Sequence, residues 1–530
     1  MPRGGDAAVE ASEHLLGPPP PRGGDGSSLG MVMVSTGVAV LGSFAFGVAI
    51  GYSAPAEAGI SRDLQLTLSE YSVFGSIITV GAMIGAVVSG QIADVAGRKG
   101  AMRASALVSV VGWLAIYFAQ SASSLDFGRF CTGLGVGVFS YVVPVFIAEI
   151  APKALRGGLT ALNPLMIGTG LSVTYIVGTV VSWRMLAMAG LAPCIILIAG
   201  LFFIPESPRW LAKVGRQKEF EIALQRLRGR DADVSLEAAE IKDFIETIDK
   251  LPKAGIQDLF SRSYIGPVII GAGLMVFQQF AGINGILFYA SETFVSAGFD
   301  SGNLGTILMA CIQLPLTTLG ALLMDRSGRK PLLLVSTSGL IVGTLMSAVS
   351  FYLKVHGILP EQVPIITLTS ILVYIASYSL GMGSVPWVIM SEIFPINIKG
   401  IGGSFVTLVN WLASLTVSFA FNFLMSWSAS GQPNLHQPPM VLLESSRDIC
   451  LICKSSCRNI LLLRLCLCHG YSLHCEDRAG DKRQDLGRDS GFDKLRHMGG
   501  LKKYGCCVTC VHCEDRALRQ KARHWKIFSL

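Results

Sequence analysis

The stretch Gly90-Gln91-Ile92-Ala93-Asp94-Val95-Ala96-Gly97-Arg98-Lys99 returns in the second half of the chain as Met324-Asp325-Arg326-Ser327-Gly328-Arg329-Lys330. Each copy is a short charged loop between two long apolar runs. A second pair follows the same logic. Glu149-Ile150-Ala151-Pro152-Lys153-Ala154-Leu155-Arg156-Gly157 is echoed by Glu392-Ile393-Phe394-Pro395-Ile396-Asn397-Ile398-Lys399-Gly400. Matching loops at matching places mean an internal duplication.

The apolar runs around these loops are long enough to cross a bilayer, which needs about 20 helical residues. They fall near 31–52, 71–92, 102–122, 127–147, 159–181 and 185–204, then 265–289, 304–323, 331–353, 365–390 and 401–425. Only 15% of the 530 residues are charged and mean hydropathy is +0.53, against about 25% charge in soluble domains. The first run follows a proline-rich leader, is too long for a signal-peptide core, and reads as a retained span. Between the sixth and seventh runs, 205–263 alternates charge with apolar residues and predicts short amphipathic helices under the membrane. Lys and Arg cluster in alternate loops, which puts those loops and the amino terminus in the cytosol.

The fold predicted is an all-α polytopic membrane protein. It has a cytosolic leader (1–30), a six-helix bundle (31–204), an amphipathic insert (205–264), a bundle with five recognisable spans (265–427) and a Cys-rich tail (428–530). Two related bundles with charged cytosolic loops imply a transporter that rocks one half against the other. In that reading Asp94, Arg98, Glu149 and Arg156 form gating ion pairs in one half, and Asp325, Arg329, Glu392 and Lys399 in the other. Ordinary positive-inside flanking charge is the competing reading for any one loop.

The net charge of +7 belongs to the tail: 17 of the 43 Lys/Arg and 10 of the 36 Asp/Glu fall from Gln432 onward, leaving the rest neutral. The basic balance is therefore no sign of nucleic-acid binding. Three cysteines (Cys131, Cys194, Cys311) precede residue 440 and ten lie between Cys450 and Cys513. Nothing in the membrane part reads as a disulfide framework, a metal set, a cofactor loop or a nucleophile elbow, so no cofactor, metal or enzymatic activity is expected there.

Four motifs stand in order: Gly128-Arg129-Phe130, Pro205-Glu206-Ser207-Pro208-Arg209-Trp210-Leu211, Gln278-Gln279-Phe280-Ala281-Gly282-Ile283-Asn284, and Pro386-Trp387. On these the chain resembles the sugar porter family of the major facilitator superfamily, over about residues 31–427. With Gly51-Tyr52-Ser53 it is most similar to the plant early-responsive-to-dehydration group of monosaccharide transporters. The resemblance implies the major facilitator fold, a monosaccharide substrate and a bilayer environment. It also implies sugar contacts from Gln278, Gln279, Asn284 and Asn410, with Trp387 as an apolar face for the ring. The residue chemistry agrees, because carboxamides donate and accept as sugar hydroxyls do, and amides in a span belong in a cavity. The bland alternative is that they glue helices together.

Two departures qualify the resemblance. The family's fifth span carries a glutamine after an asparagine, but here Asn163 is followed by Pro164. Proton-coupled members carry a first-span aspartate facing the fourth-span arginine; here Ser53 stands there and Arg129, the coupling candidate, remains. Serine does not titrate, so the reading leans toward facilitated diffusion, with protons and another carboxylate such as Glu149 left open. Glu13-His14-Leu15-Leu16 is similar to an acidic dileucine signal and leaves the vacuolar or plasma membrane as the address.

The family's twelfth span and its closing Pro-Glu-Thr-Lys-Gly motif are missing from the tail, where the best apolar run, 460–468, contains Arg464 and is too short to span. Codons shifted by one register across 478–491 can encode that motif, so the tail reads as an out-of-frame translation. A zinc module built on the irregularly spaced tail cysteines is the rival. A non-transporting isoform that competes with a full-length relative is accordingly the alternative to a working sugar transporter.

Overall fold

The computed structural model describes residues 29–429, apart from 154, 251–254, 263, 300–301 and 395–397. Expectations about the leader, with Glu13-His14-Leu15-Leu16, and about the cysteines and apolar run of the tail lie outside the described residues. So does the side chain of Asp325.

The first half comprises α1 (Gly30–Gly51), α2 (Ser53–Leu64), α3 (Leu68–Val95), α4 (Gly97–Tyr117), α5 (Ala122–Ile150), α6 (Arg156–Gly178) and α7 (Trp183–Gly200). The insert follows as α8 (Pro208–Lys213), α9 (Gln217–Arg228) and α10 (Ser235–Lys250), with a 3-10 turn at Ile256–Phe260. The second half comprises α11 (Ile265–Phe280), α12 (Ile283–Phe288), α13 (Ala290–Ala297), α14 (Asn303–Ser327), α15 (Arg329–Val355), α16 (Val363–Ser377), α17 (Val385–Ile393) and α18 (Lys399–Ala429). Among the described residues ten helices are long and apolar enough to cross a membrane, and Ile265–Phe280 is a shorter apolar one.

Lipid tails are as apolar as leucine, so close backbone approach, rather than hydrophobic burial, holds such helices together. Glycines supply that approach where α3 meets α5. A Cβ on Gly137 would come within 2.2 Å of the Ala82 carbonyl oxygen, and one on Gly81 within 2.4 Å of the Phe130 oxygen. Trp113, Tyr52, Tyr71 and Phe74 fill the interior of this half, while Val87, Val111 and Ile195 face outward. The halves meet where α6 packs on α14 and α3 on α18.

Three helices depart from the continuous runs expected. The third begins at Gly97 rather than near 102, because Arg98 and Lys99 find partners inside its first turn (below). The seventh breaks after Phe280, where Gly282 takes a left-handed backbone (φ +92°) that glycine adopts at little cost. The tenth is interrupted between α16 and α17 by one wide turn, Tyr378–Met382, of the i→i+5 type.

The insert has its own small core of Trp210, Leu211, Phe220, Leu224 and Ile241. It is tied to the first half. Trp210 Nε1 donates to the Asp94 carbonyl (2.9 Å), Arg228 Nη1 to the Ile150 carbonyl (3.0 Å), and Lys153 pairs with Glu240 (2.6 Å).

Gly137→Ala is expected to cost about 1–3 kcal/mol through overpacking, read as a lower unfolding temperature of the detergent-solubilised protein. Gly90→Ala, where an added Cβ meets nothing within 4 Å, is expected to leave that temperature unchanged.

Candidate functional site

The amides of the seventh span converge with those of the eleventh. Gln279 Nε2 donates to Asn410 Oδ1 (2.9 Å), and Asn284 Nδ2 donates to Gln279 Oε1 and to Ser414 Oγ, both at 2.6 Å. Gln279, Asn410 and Ser414 are buried. Gly282 makes this possible: it ends α11, so Gln279 on one piece and Asn284 on the next turn toward the same neighbours. Gln278 points elsewhere. Its Nε2 donates to the Met382 (2.8 Å) and Gly383 (3.1 Å) carbonyls at the wide turn of the tenth span, and its Oε1 is buried without a hydrogen-bond partner. Ser336 supports the same turn, accepting from the Met382 N–H (2.8 Å). Trp387 is half-buried against the cluster of Leu259, Val268, Met275 and Phe394, and among the described residues it makes no hydrogen bond to the amides. Asn163, the residue before the unexpected proline, accepts from Ser43 Oγ (2.6 Å).

Arg129 is fully buried. Its Nη1 donates to the Ala49 carbonyl (2.6 Å), its Nη2 donates to Ser53 Oγ, and its guanidinium lies over the Phe74 ring at 5.1 Å and the Tyr52 ring at 5.8 Å. Backbone oxygen, the Ser53 hydroxyl and ring faces thus hold the cation.

The two charged loops repeat in atomic detail. Arg98 grips Glu149 through two bonds of 2.9 Å and donates to the carbonyl five residues back, Ala93 (2.9 Å). Arg329 pairs with Glu392 (2.7 Å) and likewise donates to the carbonyl five residues back, Met324 (3.5 Å). Gly97 and Gly328, just before each arginine, both have positive φ (+79° and +83°). Asp94 joins the first cluster through Arg98 (3.3 Å) and Lys213 (3.1 Å). Arg156 and Lys399 correct the expected networks: among the described residues neither makes an ion pair. Each opens its helix and leaves the paired carboxylate to the arginine already seated on it.

Pro205-Glu206-Ser207-Pro208 has the form of a turn and helix cap at the start of α8. Ser207 does cap α8, accepting from the Trp210 N–H (3.3 Å), but its hydroxyl also donates to Glu149 (2.5 Å). Glu206 accepts from the backbone N–H of Lys99 (3.1 Å) and of Ser207 (2.8 Å). Burial pushes the Glu206 carboxyl above its ordinary range, and those N–H groups pull it part of the way back. The signal was the motif's position beside the first charged loop, which a reading of separate segments does not connect.

At the end opposite the charged loops the halves are bolted together. Tyr175 donates to the Leu287 carbonyl (2.5 Å) and Ser172 to the Ala310 carbonyl (3.2 Å). Tyr289 fits over Gly75, where a Cβ would lie 2.4 Å from its hydroxyl.

A duplicated bundle of membrane-crossing helices, charge-paired at one end and amide-lined at its centre, defines a polytopic transporter of the major facilitator superfamily. The chain belongs to the sugar transporter family: the family model described as "Sugar (and other) transporter" matches residues 35–434. It is 60% identical over 401 residues to sugar transporter ERD6-like 16 of Arabidopsis thaliana, covering 76% of this chain and 83% of that one. Sugar transporter ERD6-like 7 of the same plant is 61% identical over 401 residues, covering 76% and 86%. Among solved structures, the proton:xylose symporter XylE bound to 6-bromo-6-deoxy-D-glucose superposes with TM-score 0.65 at 26% identity, covering 80% of this chain and 94% of that one. The inward open conformation of the xylose transporter XylE from E. coli gives 0.63 at 25%, covering 79% and 94%. The expected fold, the sugar porter family and its plant branch are thereby borne out, and the protein is an integral membrane sugar transporter rather than an enzyme.

Removing Glu149 strands a buried guanidinium. Glu149→Ala is expected to destabilise by about 3 kcal/mol, against a smaller loss for Asp94→Ala, whose side chain is half exposed; thermal unfolding of the two variants checks the order.

Proposed function

We propose that the protein carries monosaccharides, hexoses such as glucose, across the membrane by alternating access and facilitated diffusion. The observation that carries this reading is the group of half-buried Asn284 with buried Gln279, Asn410 and Ser414, joined by hydrogen bonds to one another. A pyranose offers neighbouring hydroxyls that donate and accept, so a sugar can replace those bonds one for one. Gln278 on the seventh span and Trp387 on the tenth are the further sugar contacts of the proposal. The glucose derivative named with the related symporter supports a hexose-sized cargo. Arg98–Glu149 and Arg329–Glu392 each tie helix ends within one half, which suits rigid bundles that tilt against each other.

Facilitated diffusion rests on Ser53. A carboxylate beside a guanidinium is a proton switch; a hydroxyl there does not titrate at physiological pH. The vacuolar or the plasma membrane is the proposed address, which a fluorescent fusion distinguishes.

Uptake of labelled glucose in a transport-null host is the test. Uptake that persists with a protonophore is expected; collapse would overturn facilitated diffusion, and absence of any hexose flux would overturn the reading as a whole. Ser53→Asp introduces a carboxyl facing Arg129, and uptake is then expected to acquire a pH dependence and fall as external pH rises. Gln279→Leu is expected to weaken apparent sugar affinity about tenfold, because one hydroxyl loses its partner in a buried site.

A further inference from the structure

Between α4 and α7 runs an apolar groove of about 490 Å³, lined by Leu107, Val110, Ile195, Ile198, Phe202 and Phe203. Leu107, Ile195, Phe202 and Phe203 are exposed along it. It opens toward lipid. Its cytosolic end is marked by the charged loop before α4 and by the start of the insert after α7. Arg103 stands one turn above Leu107 on the same helix face, at the mouth of the groove.

The cations of this half mostly have carboxylate partners: Arg98 has Glu149, Lys213 has Asp94, Arg228 has Glu237 and Lys153 has Glu240. Arg103 differs. Its guanidinium is stacked on the Phe202 ring (4.6 Å to the centroid), its Nε is buried without a hydrogen-bond partner, and no acceptor reaches it among the described residues. Two further cations share its surroundings. Lys99 Nζ donates to the Ile204 carbonyl (2.6 Å) and Arg226 Nη2 to the Phe203 carbonyl (2.7 Å). Lys99 feels both Arg103 and Arg226. The carboxylate acting on Lys99, that of Glu206, already accepts two backbone N–H groups. Three positive charges against one negative therefore crown a groove with no polar lining.

We infer that this is a binding site for an anionic glycerophospholipid of the cytosolic leaflet, its phosphate on Arg103 and Arg226 and one acyl chain in the groove. Charge selects an anion, and the apolar trough beneath selects one that carries a hydrocarbon chain; a free phosphate has no use for it. Basic pockets between spans on the cytosolic side are suited to such headgroups. A bound lipid would brace α4, α7 and α9 together where the insert joins the bundle.

The test uses the full chain in neutral detergent, titrated separately with phosphatidylglycerol, phosphatidylcholine and inorganic phosphate while the unfolding temperature is followed. Phosphatidylglycerol alone is expected to raise it in a saturable way. Arg103→Gln and Arg226→Gln are each expected to weaken that response about fivefold. Leu107→Trp, which fills the groove without touching a charge, is expected to weaken it as well. The inference is overturned if phosphatidylcholine acts as strongly as phosphatidylglycerol, if inorganic phosphate reproduces the effect, or if Leu107→Trp and Arg226→Gln leave the response intact. The last two variants decide the matter should Arg103→Gln fail to fold.

Discussion

In hydrocarbon an unpartnered polar group costs several kcal/mol, because no water stands ready to take the bond. The architecture follows from that constraint. Amides in the seventh span face those of the eleventh; hydroxyls turn back onto carbonyls of their own helices, as Thr174 does on Gly170; and Arg129 lies between a carbonyl, a hydroxyl and two aromatic faces. The breaks in the seventh and tenth spans obey the same rule. The wide turn of the tenth leaves carbonyls that the helix cannot pair, and Gln278 answers two of them. A side chain that family resemblance assigns to the cargo thus also serves the backbone.

The duplication gives the charged face its order. Glycine with a left-handed backbone, arginine reaching five residues back and a glutamate from the second helix along recur in both halves at Gly97–Arg98–Glu149 and Gly328–Arg329–Glu392. Two copies keep the same arginine–glutamate pair, though the helices between them differ in sequence, and each ties helix ends at the charged end of its own bundle. Among the described residues the insert adds hydrogen bonds to the first copy, through Ser207, Trp210 and Lys213, and meets the second half through apolar contacts of Leu259 and Phe260.

Much of this was legible from residues alone. Helix number and order follow from the length of the apolar runs. The repeat announced the arginine–glutamate pairs before any distance was known, whereas the amides grouped in one motif divide: Gln279 and Asn284 turn to the eleventh span and Gln278 to the tenth. What stayed hidden depends on tertiary neighbours. Nothing local says that Arg156 and Lys399 stand aside from the pairs, since they match each other as well as the partners do. The wide turn at Tyr378–Met382 comes from packing against Ser336 and Gln278, which are remote in sequence. The double duty of Ser207 required knowing that α8 folds under the fifth helix.

The break at Gly282 has a mechanical meaning. Gln279 and Asn284 sit on opposite sides of the kink, yet share a bond of 2.6 Å. Any change in the bend angle alters their spacing before it disturbs the rest of either bundle. A ligand that spanned the two amides, as in the proposed function, would act as a strut across an elbow: its presence or departure would be translated into the angle of the joint without a separate messenger.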